Sequence, residues 1–446
     1  MLATLISIAA FIFVIGVLVV IHEAGHFGMA RALGAPVEVF SVGFGRRLWG
    51  FEKGGTDYRV SLVPLGGYVR IPGLGPDESD VVGSESEELE LLPRWKRALI
   101  LLAGPATNIV GAVLFIGIAY MMGVETPAFR TEPPVIGWID PGSPAAEVDL
   151  EVGDLIVAVN GSDVSMWSEL ETSIVTSADN EVRLDVERQG RRHQVRMVPE
   201  SVTRYGFGYS GLQPPVEPVL VQVPVGSPAS AAGLEAGDRV LSVNGEAVGQ
   251  FYDLMRLISP HANETISITV VRGSDELTVE AVPRGEEGAG KIGVPLIPPT
   301  IVEHLGPVDA FVTASRECRR MTVETFRIIG RLLTRKTSIK QVSGPIGIAQ
   351  ISGEAARSGL DSLIWFMGLI SLQLGIFNLL PIPILDGGHL TVIAFESAIR
   401  RDLSLKVKER ILEIGFYALI LLMVVVLFND IVKILPNSVY NFFFGG

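Results

Sequence analysis

The chain has a single cysteine, Cys318, among 446 residues. A disulfide framework and a multi-cysteine metal cluster are both excluded, while the redox compartment stays open. Charge is scarce as well. Only 19% of residues are Asp, Glu, Lys or Arg, against about 25% in soluble globular domains. Basic residues are the rarer sign, 36 against 49 acidic, for a formal net charge of -13. That balance argues against a nucleic-acid partner, which needs a basic stripe to replace phosphate counterions. What is abundant is apolar surface: 48% of residues, with a mean hydropathy of +0.41. It is gathered into a few runs. The chain therefore reads as an integral membrane protein with the lipid bilayer as a partner, and its length suggests about three structural units at ~150 residues each.

A helix needs about 20 apolar residues to cross a bilayer. Four runs qualify: 2–21, 98–124, 362–385 and 414–428. A signal peptide fits the first run poorly, because no basic residues precede it and it is longer than an ordinary signal core. Orientation follows from the basic residues beside the spans. Arg46, Arg47, Lys53, Arg59, Arg70, Arg94, Lys96 and Arg97 fill the first long loop. Arg400, Arg401, Lys406, Lys408 and Arg410 fill the last loop. Both loops are expected on the cytoplasmic side, which puts both termini and the region 125–360 outside.

That outer region holds an internal repeat. Residues 142–161 (GSPAAEVDLEVGDLIVAVNG) and 226–245 (GSPASAAGLEAGDRVLSVNG) share 11 of 20 identities at an offset of 84. Each copy continues into a short helical stretch and then alternating strands, Val182, Leu184, Val186 in one and Ile266, Ile268, Val270 in the other. Asn-Gly closes a hairpin with positive φ, and Gly-Asp turns the chain into a buried strand. This pattern resembles PDZ domains of the bacterial type, which bind extended peptides by strand addition. The resemblance implies peptide C-termini as partners. Ile292, Gly293 and Val294 fit the binding loop in the second copy, and Phe207-Gly208-Tyr209 fits it less well in the first. The alternative duty for the pair is a steric gate.

The first run ends in His22-Glu23-Ala24-Gly25-His26. On a helix, positions i and i+4 share a face, so two imidazoles can hold one zinc and the intervening Glu can reach its water. Ionisable groups at the end of an uncharged span are costly and mark function. A catalytic zinc takes three protein ligands and keeps one position open. The third run supplies candidates in Asn378-Leu-Leu-Pro381-Ile-Pro383-Ile-Leu385-Asp386-Gly387-Gly388-His389. Two prolines stop the helix there, and irregular backbone at membrane depth is tolerated only where it is buried or lines a wet cavity. Asp386 is the expected carboxylate, and His389 is the rival ligand.

HEAGH, the tandem PDZ copies and NLLPIPILDGG, in that order, resemble the site-2 protease family of intramembrane zinc metalloproteases. The likeness covers nearly the whole chain and extends to Val42-Gly43-Phe44-Gly45, to Ala103-Gly104-Pro105-Ala106-Thr107-Asn108 and to Ser343-Gly344-Pro345-Ile346. It implies one Zn²⁺ held by His22, His26 and Asp386, with Glu23 as general base and acid and Asn378 contacting the substrate backbone or holding the developing oxyanion. It further implies single-span membrane proteins as substrates, anti-sigma factors trimmed outside and leftover signal peptides among them, in the inner membrane of a bacterial cell with the active site toward the cytoplasm. A membrane PDZ adaptor without turnover and a peptidase of soluble peptides are the rival readings. An adaptor has no use for three ligands and a base at membrane depth.

The stretch 55–71 alternates Tyr58, Val60, Leu62 and then meets Pro64, Gly66 and Gly67. It reads as a membrane-associated β-hairpin turning at Pro64 and Gly66-Gly67, with Gly66, Gly67 and Tyr68 as substrate contacts by strand pairing. Phe311, Met321, Phe326, Ile329 and Leu332, amid Arg319, Arg320, Arg327, Arg331 and Arg335, predict an amphipathic helix on the outer membrane surface. The expected fold is a polytopic α-helical membrane protein with four transmembrane helices, an inserted pair of β-rich PDZ domains and the hairpin. Its divisions are 1–34 (first span with HEAGH), 35–94 (loop with the hairpin), 95–124 (second span), 125–205 and 206–300 (PDZ domains), 301–358 (amphipathic connector), 359–390 (broken third span) and 409–433 (fourth span).

Overall fold

The computed structural model describes residues 2–74, 92–201, 206–286, 289–295, 298, 300–334, 341 and 343–434. Arg335 and parts of the expected divisions 1–34, 35–94, 125–205, 206–300 and 301–358 lie outside the described residues. Among those described, ten helices follow in chain order: α1 (Leu2–Ala32), α2 (Arg94–Met122), α3 (Trp167–Val175), α4 (Pro228–Ala231), α5 (Phe251–Ile258), α6 (Pro307–Leu333), α7 (Pro345–Ser358), α8 (Leu360–Asn378), α9 (Asp386–Ile399) and α10 (Leu405–Ile434). The chain divides into two units. One comprises Met1–Val124, His304–Ile329 and Val342–Gly446, the other Glu125–Glu303 and Gly330–Gln341.

In the first unit, four helices are long and apolar enough to cross a membrane: Ala3–Ala32, Arg94–Met122, Leu360–Asn378 and Lys406–Ile434. At 1.5 Å per residue, 19 residues of α8 reach about 28 Å, the thickness of a bilayer's hydrocarbon core. Small residues let these helices approach closely, as they do where lipid supplies no hydrophobic drive between helices. A Cβ on Gly25 of α1 would lie 2.9 Å from the Ala103 carbonyl carbon of α2. On the other face of α2, Gly375 of α8 meets the Pro105 carbonyl oxygen in the same way, at 2.9 Å.

The third span is broken at its two prolines, as the sequence predicts. Helix α8 ends at Asn378, and the chain resumes as a helix only at Asp386. Pro381 and Pro383 donate no backbone hydrogen bond, and Ile384 sits at φ +83, which costs a β-branched residue about 1–3 kcal/mol. Helix α9 then runs to Ile399, beyond the expected end at 390.

The hairpin is also larger than expected, and its turn lies elsewhere. Strands β1 (Val39–Lys53) and β2 (Thr56–Arg70) are joined at Gly54-Gly55, whose φ of +60 and +76 suit a tight two-residue turn. Pro64, Gly66 and Gly67 lie within β2 instead of at its end. The long strands fold over: 47–53 pairs with 56–61, Val39 faces both Asp57 and Arg70, and Val42 faces both Val60 and Gly67. Segment 39–42 therefore runs between 57–60 and 67–70. Among the described residues, 67–70 pairs on one side only.

Helix α6 forms in the expected amphipathic region, and one face of it is buried against two of the spans. Ala314 and Cys318, one turn apart, join Ala112 and Ile116 of α2 and Leu372 and Ile376 of α8 in one buried cluster. The Gln373 amide donates to the Thr325 hydroxyl at 3.0 Å.

In the second unit the two copies repeat one design. Strands Ser162–Asp163, Leu155–Val159, Val182–Arg188 and Arg191–Met197 lie side by side in that order. Their counterparts are Glu246–Ala247, Arg239–Val243, Ile266–Arg272 and Asp275–Ala281. Both sheets are antiparallel, with α3 or α5 between the second and third of these strands in sequence. Asn160-Gly161 and Asn244-Gly245 take positive φ at both positions, as the sequence predicts. The Asp of each Gly-Asp pair is buried and held bidentately, Asp154 by Arg188 at 2.7 and 2.9 Å and Asp238 by Arg272 at 2.7 and 2.8 Å. Burial pushes both carboxyls up, but the guanidinium and backbone donors outweigh it and hold them below the ordinary carboxylate value.

Two sequence expectations change here. Strand Leu212–Gln213 pairs with Trp138–Ile139, so the first copy continues past the expected boundary at 205/206. The Ala145 amide donates to the Ser210 carbonyl as the Ala229 amide donates to that of Ile292, at 2.9 and 3.0 Å. Gly211 and Gly293 both have positive φ and press on Ser143 and Ser227. The first-copy counterpart of Ile292-Gly293-Val294 is thus Ser210-Gly211-Leu212, not Phe207-Gly208-Tyr209. Two fewer residues in this part of the second copy hid the match at a fixed offset of 84.

Candidate metal centre

Helix α1 carries His22, Glu23 and His26 on neighbouring turns, and the break after α8 brings Asp386 opposite them. His22 Nε2 lies 3.1 Å from His26 Nε2 and 3.1 Å from Asp386 Oδ2, and His26 Nε2 lies 3.5 Å from the same oxygen. Ligands of a tetrahedral zinc at 2.0–2.1 Å stand about 3.3 Å from one another. Two imidazole nitrogens and a carboxylate oxygen, all largely buried, therefore match a zinc ion in both spacing and chemistry. Among the described residues this is the one group of three such donors drawn close enough to share an ion.

Helix α2 forms the wall behind the two rings. Gly104 lies against both: a Cβ there would come within 2.9 Å of His22 Cε1 and nearer still to the His26 ring. His26 Nδ1 donates to the Ile100 carbonyl at 2.8 Å. His22 Nδ1 lies 3.1 Å from the Asn108 side-chain nitrogen, and Asn108 is fully buried.

A cavity of about 380 Å³ opens beside these groups, lined by His22, Glu23, His26, Tyr68, Asn378, Asp386 and His389 among others. Glu23 reaches the Val69 backbone, and its Cγ lies 3.4 Å from where a Cβ on Gly67 would stand. Gly66, at φ +125, leaves room for the Phe44 ring, which stacks on Tyr68 at 6.1 Å and 7°. The rival ligand His389 lines the cavity without joining the three converging atoms. Ile292, Gly293 and Val294 belong to the other unit and take no part in this lining.

Sequence reasoning missed one supporting cluster. Glu396 of α9 is fully buried, accepts from Lys408 Nζ at 2.7 Å and from the Leu403 amide at 2.9 Å, and faces Arg97 at 3.9 Å. It ties the helix that begins with Asp386 to α2 and α10. An acidic residue inside the apolar stretch 386–399 was the available signal.

Three comparisons bear on this geometry. The sequence profile described as Peptidase family M50 matches residues 10–422. The chain is 33% identical over 454 residues to "Regulator of sigma-E protease RseP" of Escherichia coli (strain K12), covering 96% of this chain and 99% of that one. It is 33% identical over 455 residues to "Putative zinc metalloprotease" of Vibrio cholerae serotype O1, covering 95% and 98%. Among solved structures, the PDZ domain of an SdrC-like protein from Listeria innocua is similar to 19% of this chain across 93% of its own length, with 17% identity and a TM-score of 0.17. The chain belongs to peptidase family M50, the site-2 protease family, and is an intramembrane zinc metalloprotease.

Proposed function

We propose that the protein cuts single-span membrane proteins within their transmembrane segment, with zinc held by His22, His26 and Asp386 and the proton carried by Glu23. The convergence of two imidazole nitrogens and one carboxylate oxygen at 3.1–3.5 Å is the observation that supports this most. When bound there, zinc supplies a Lewis acid and a water whose pKa falls toward about 7. Glu23, in the same cavity, takes a proton from the attacking water and returns it to the leaving amine. Asn378, at the last turn of α8, donates its amide to the substrate carbonyl as charge builds there.

A helical substrate hides its carbonyls and must be unwound first. Segment 67–70 supports a way to hold it open: it pairs on one side only, and Tyr68 and Val69 line the cavity. An extended substrate strand added there, over Gly66 and Gly67, would present its backbone to the metal. The basic loops support a topology with both termini and the second unit outside the inner membrane and the active site toward the cytoplasm. The second unit would meet the outer remainder of the substrate, by excluding folded ectodomains or by taking a peptide C-terminus at Ile292-Gly293-Val294. The name of the Escherichia coli relative ties that protein to sigma-E, which supports anti-sigma-factor-like substrates after ectodomain trimming; leftover signal peptides are further single-span candidates.

Glu23→Gln tests the proton role. The purified variant should keep stoichiometric zinc and lose cleavage of a reconstituted single-span substrate, because an amide cannot shuttle protons. Undiminished turnover would remove Glu23 from the reaction.

A further inference from the structure

The two histidines in the zinc reading are not supported alike by α2. His26 Nδ1 faces the Ile100 carbonyl at 2.8 Å, and a carbonyl only accepts. The His26 proton therefore sits on Nδ1, which leaves Nε2 with a free lone pair toward His22 and Asp386. That is the tautomer a metal takes.

His22 Nδ1 faces instead the side-chain amide of Asn108, with Nδ2 at 3.1 Å. In that sense the amide donates, Nδ1 must be bare, and the His22 proton is driven to Nε2. Yet His22 Nε2 is the atom 3.1 Å from both His26 Nε2 and Asp386 Oδ2. A proton there occupies the place of the ion. An amide has nearly the same shape after a half-turn about Cβ–Cγ, which exchanges its oxygen and nitrogen. The turn breaks no hydrogen bond of the oxygen, because Asn108 Oδ1 is buried and bonds to no described group.

We propose that Asn108 is the positioning residue for His22: with Oδ1 toward the ring it accepts the Nδ1 proton, fixes the metal-binding tautomer and holds the ring plane. This rests on the zinc reading above and deepens it. The helix register allows the pairing. Ile100, Gly104 and Asn108 are successive i+4 positions on one face of α2, two turns that bracket the single turn between His22 and His26 on α1. The first supports one ring, the last supports the other, and the glycine between them leaves room for both. Asn108 is itself fixed from behind, since the buried Ser371 hydroxyl of α8 donates to its backbone carbonyl at 2.8 Å.

The test is zinc affinity of the full-length protein in detergent, read by competition with a chromogenic chelator, for the wild type, Asn108→Ala and Asn108→Asp. Loss of the orienting partner should weaken zinc binding by about 10–100-fold in Asn108→Ala, the range for such outer partners. Cleavage in that variant should return when zinc is in excess. Asn108→Asp should hold zinc at least as tightly as wild type, because a carboxylate accepts the same proton. The aspartate variant settles the direction of the bond: if the amide really donates, a carboxylate cannot replace it, and Asn108→Asp would fail along with Asn108→Ala. That result, or wild-type affinity in Asn108→Ala, overturns the proposal. A wild type that binds no zinc, or a His22→Ala variant that keeps it, would instead overturn the ligand assignment beneath it.

Discussion

Gly104→Ala adds one methyl group and should weaken metal binding without unfolding the protein. The new Cβ would stand 2.9 Å from His22 Cε1 and closer to the His26 ring, whereas ordinary contact begins near 3.4 Å. The His22 ring must then retreat by about half an ångström and the His26 ring by more, while metal–ligand distances tolerate about ±0.2 Å. Overpacking of this kind costs about 1–3 kcal/mol, which the fold survives. Drawn entirely from the ligand geometry, the same energy weakens zinc by about 5–150-fold, since 1.4 kcal/mol is a factor of ten. Elemental analysis of the purified variant reads bound zinc, and circular dichroism reads helix content. Gly28→Ala is the control on the same helix as the ligands, because nothing lies within 4 Å of its Cβ position. If Gly104→Ala retains zinc as firmly as Gly28→Ala, the rings are not clamped by α2 and the geometry described here is wrong.

Three further outcomes follow from the same structure. Asp386→Asn should lose zinc and activity together, whereas His389→Ala should keep its zinc; metal analysis showing the reverse would make His389 the third ligand. Glu396→Ala leaves Lys408 and Arg97 buried around an empty place, a loss of about 3–5 kcal/mol that should appear as early thermal inactivation, with Glu396→Gln milder. Unchanged inactivation in the alanine variant would deny that cluster any part in holding α9. Deleting 128–300 should admit a substrate with an untrimmed ectodomain while trimmed-substrate cleavage continues, if the second unit excludes by size. Slower trimmed cleavage with no gain on the untrimmed form would reject the gate.

What could be read from sequence was whatever is periodic or adjacent. The four apolar runs, the i,i+4 histidines and the repeat at an offset of 84 need no knowledge of distant pairing. The Pro-x-Pro break announced itself through missing backbone donors. The hairpin was misplaced because Pro64 and Gly66-Gly67 look like a turn, yet Gly54-Gly55 supplies two adjacent positive-φ residues and wins. No local pattern could show that 39–42 would lie between 57–60 and 67–70. Asn108 was visible only as part of a motif, because its partner His22 is 86 residues away. Helix α6 was read as a surface helix from its arginines, while the small residues Ala314 and Cys318, which fit it against α2 and α8, carried no weight in that reading.

The third candidate ligand raises the hardest physical question, since Asp386 follows a strained, proline-broken segment that has little regular backbone bonding of its own. Left to itself, such a segment would sample many positions and hold no ion within a few tenths of an ångström. The structure restrains it from both sides. Before it, Ile384 is forced to φ +83, and Gly387 and Gly388 pack so tightly on the carbonyls of Leu380 and Ile382 that no side chain fits. After it, α9 runs 14 residues to the neighbourhood of Glu396, which grips Lys408 and Leu403 in the following segment and faces Arg97 of α2. Helix α2 is thus common to both sides of the centre: it backs the two histidines through Ile100, Gly104 and Asn108, and it faces the far end of the aspartate's helix through Arg97. A break that would loosen an isolated helix here becomes a fixed bend, open to the cavity and closed behind.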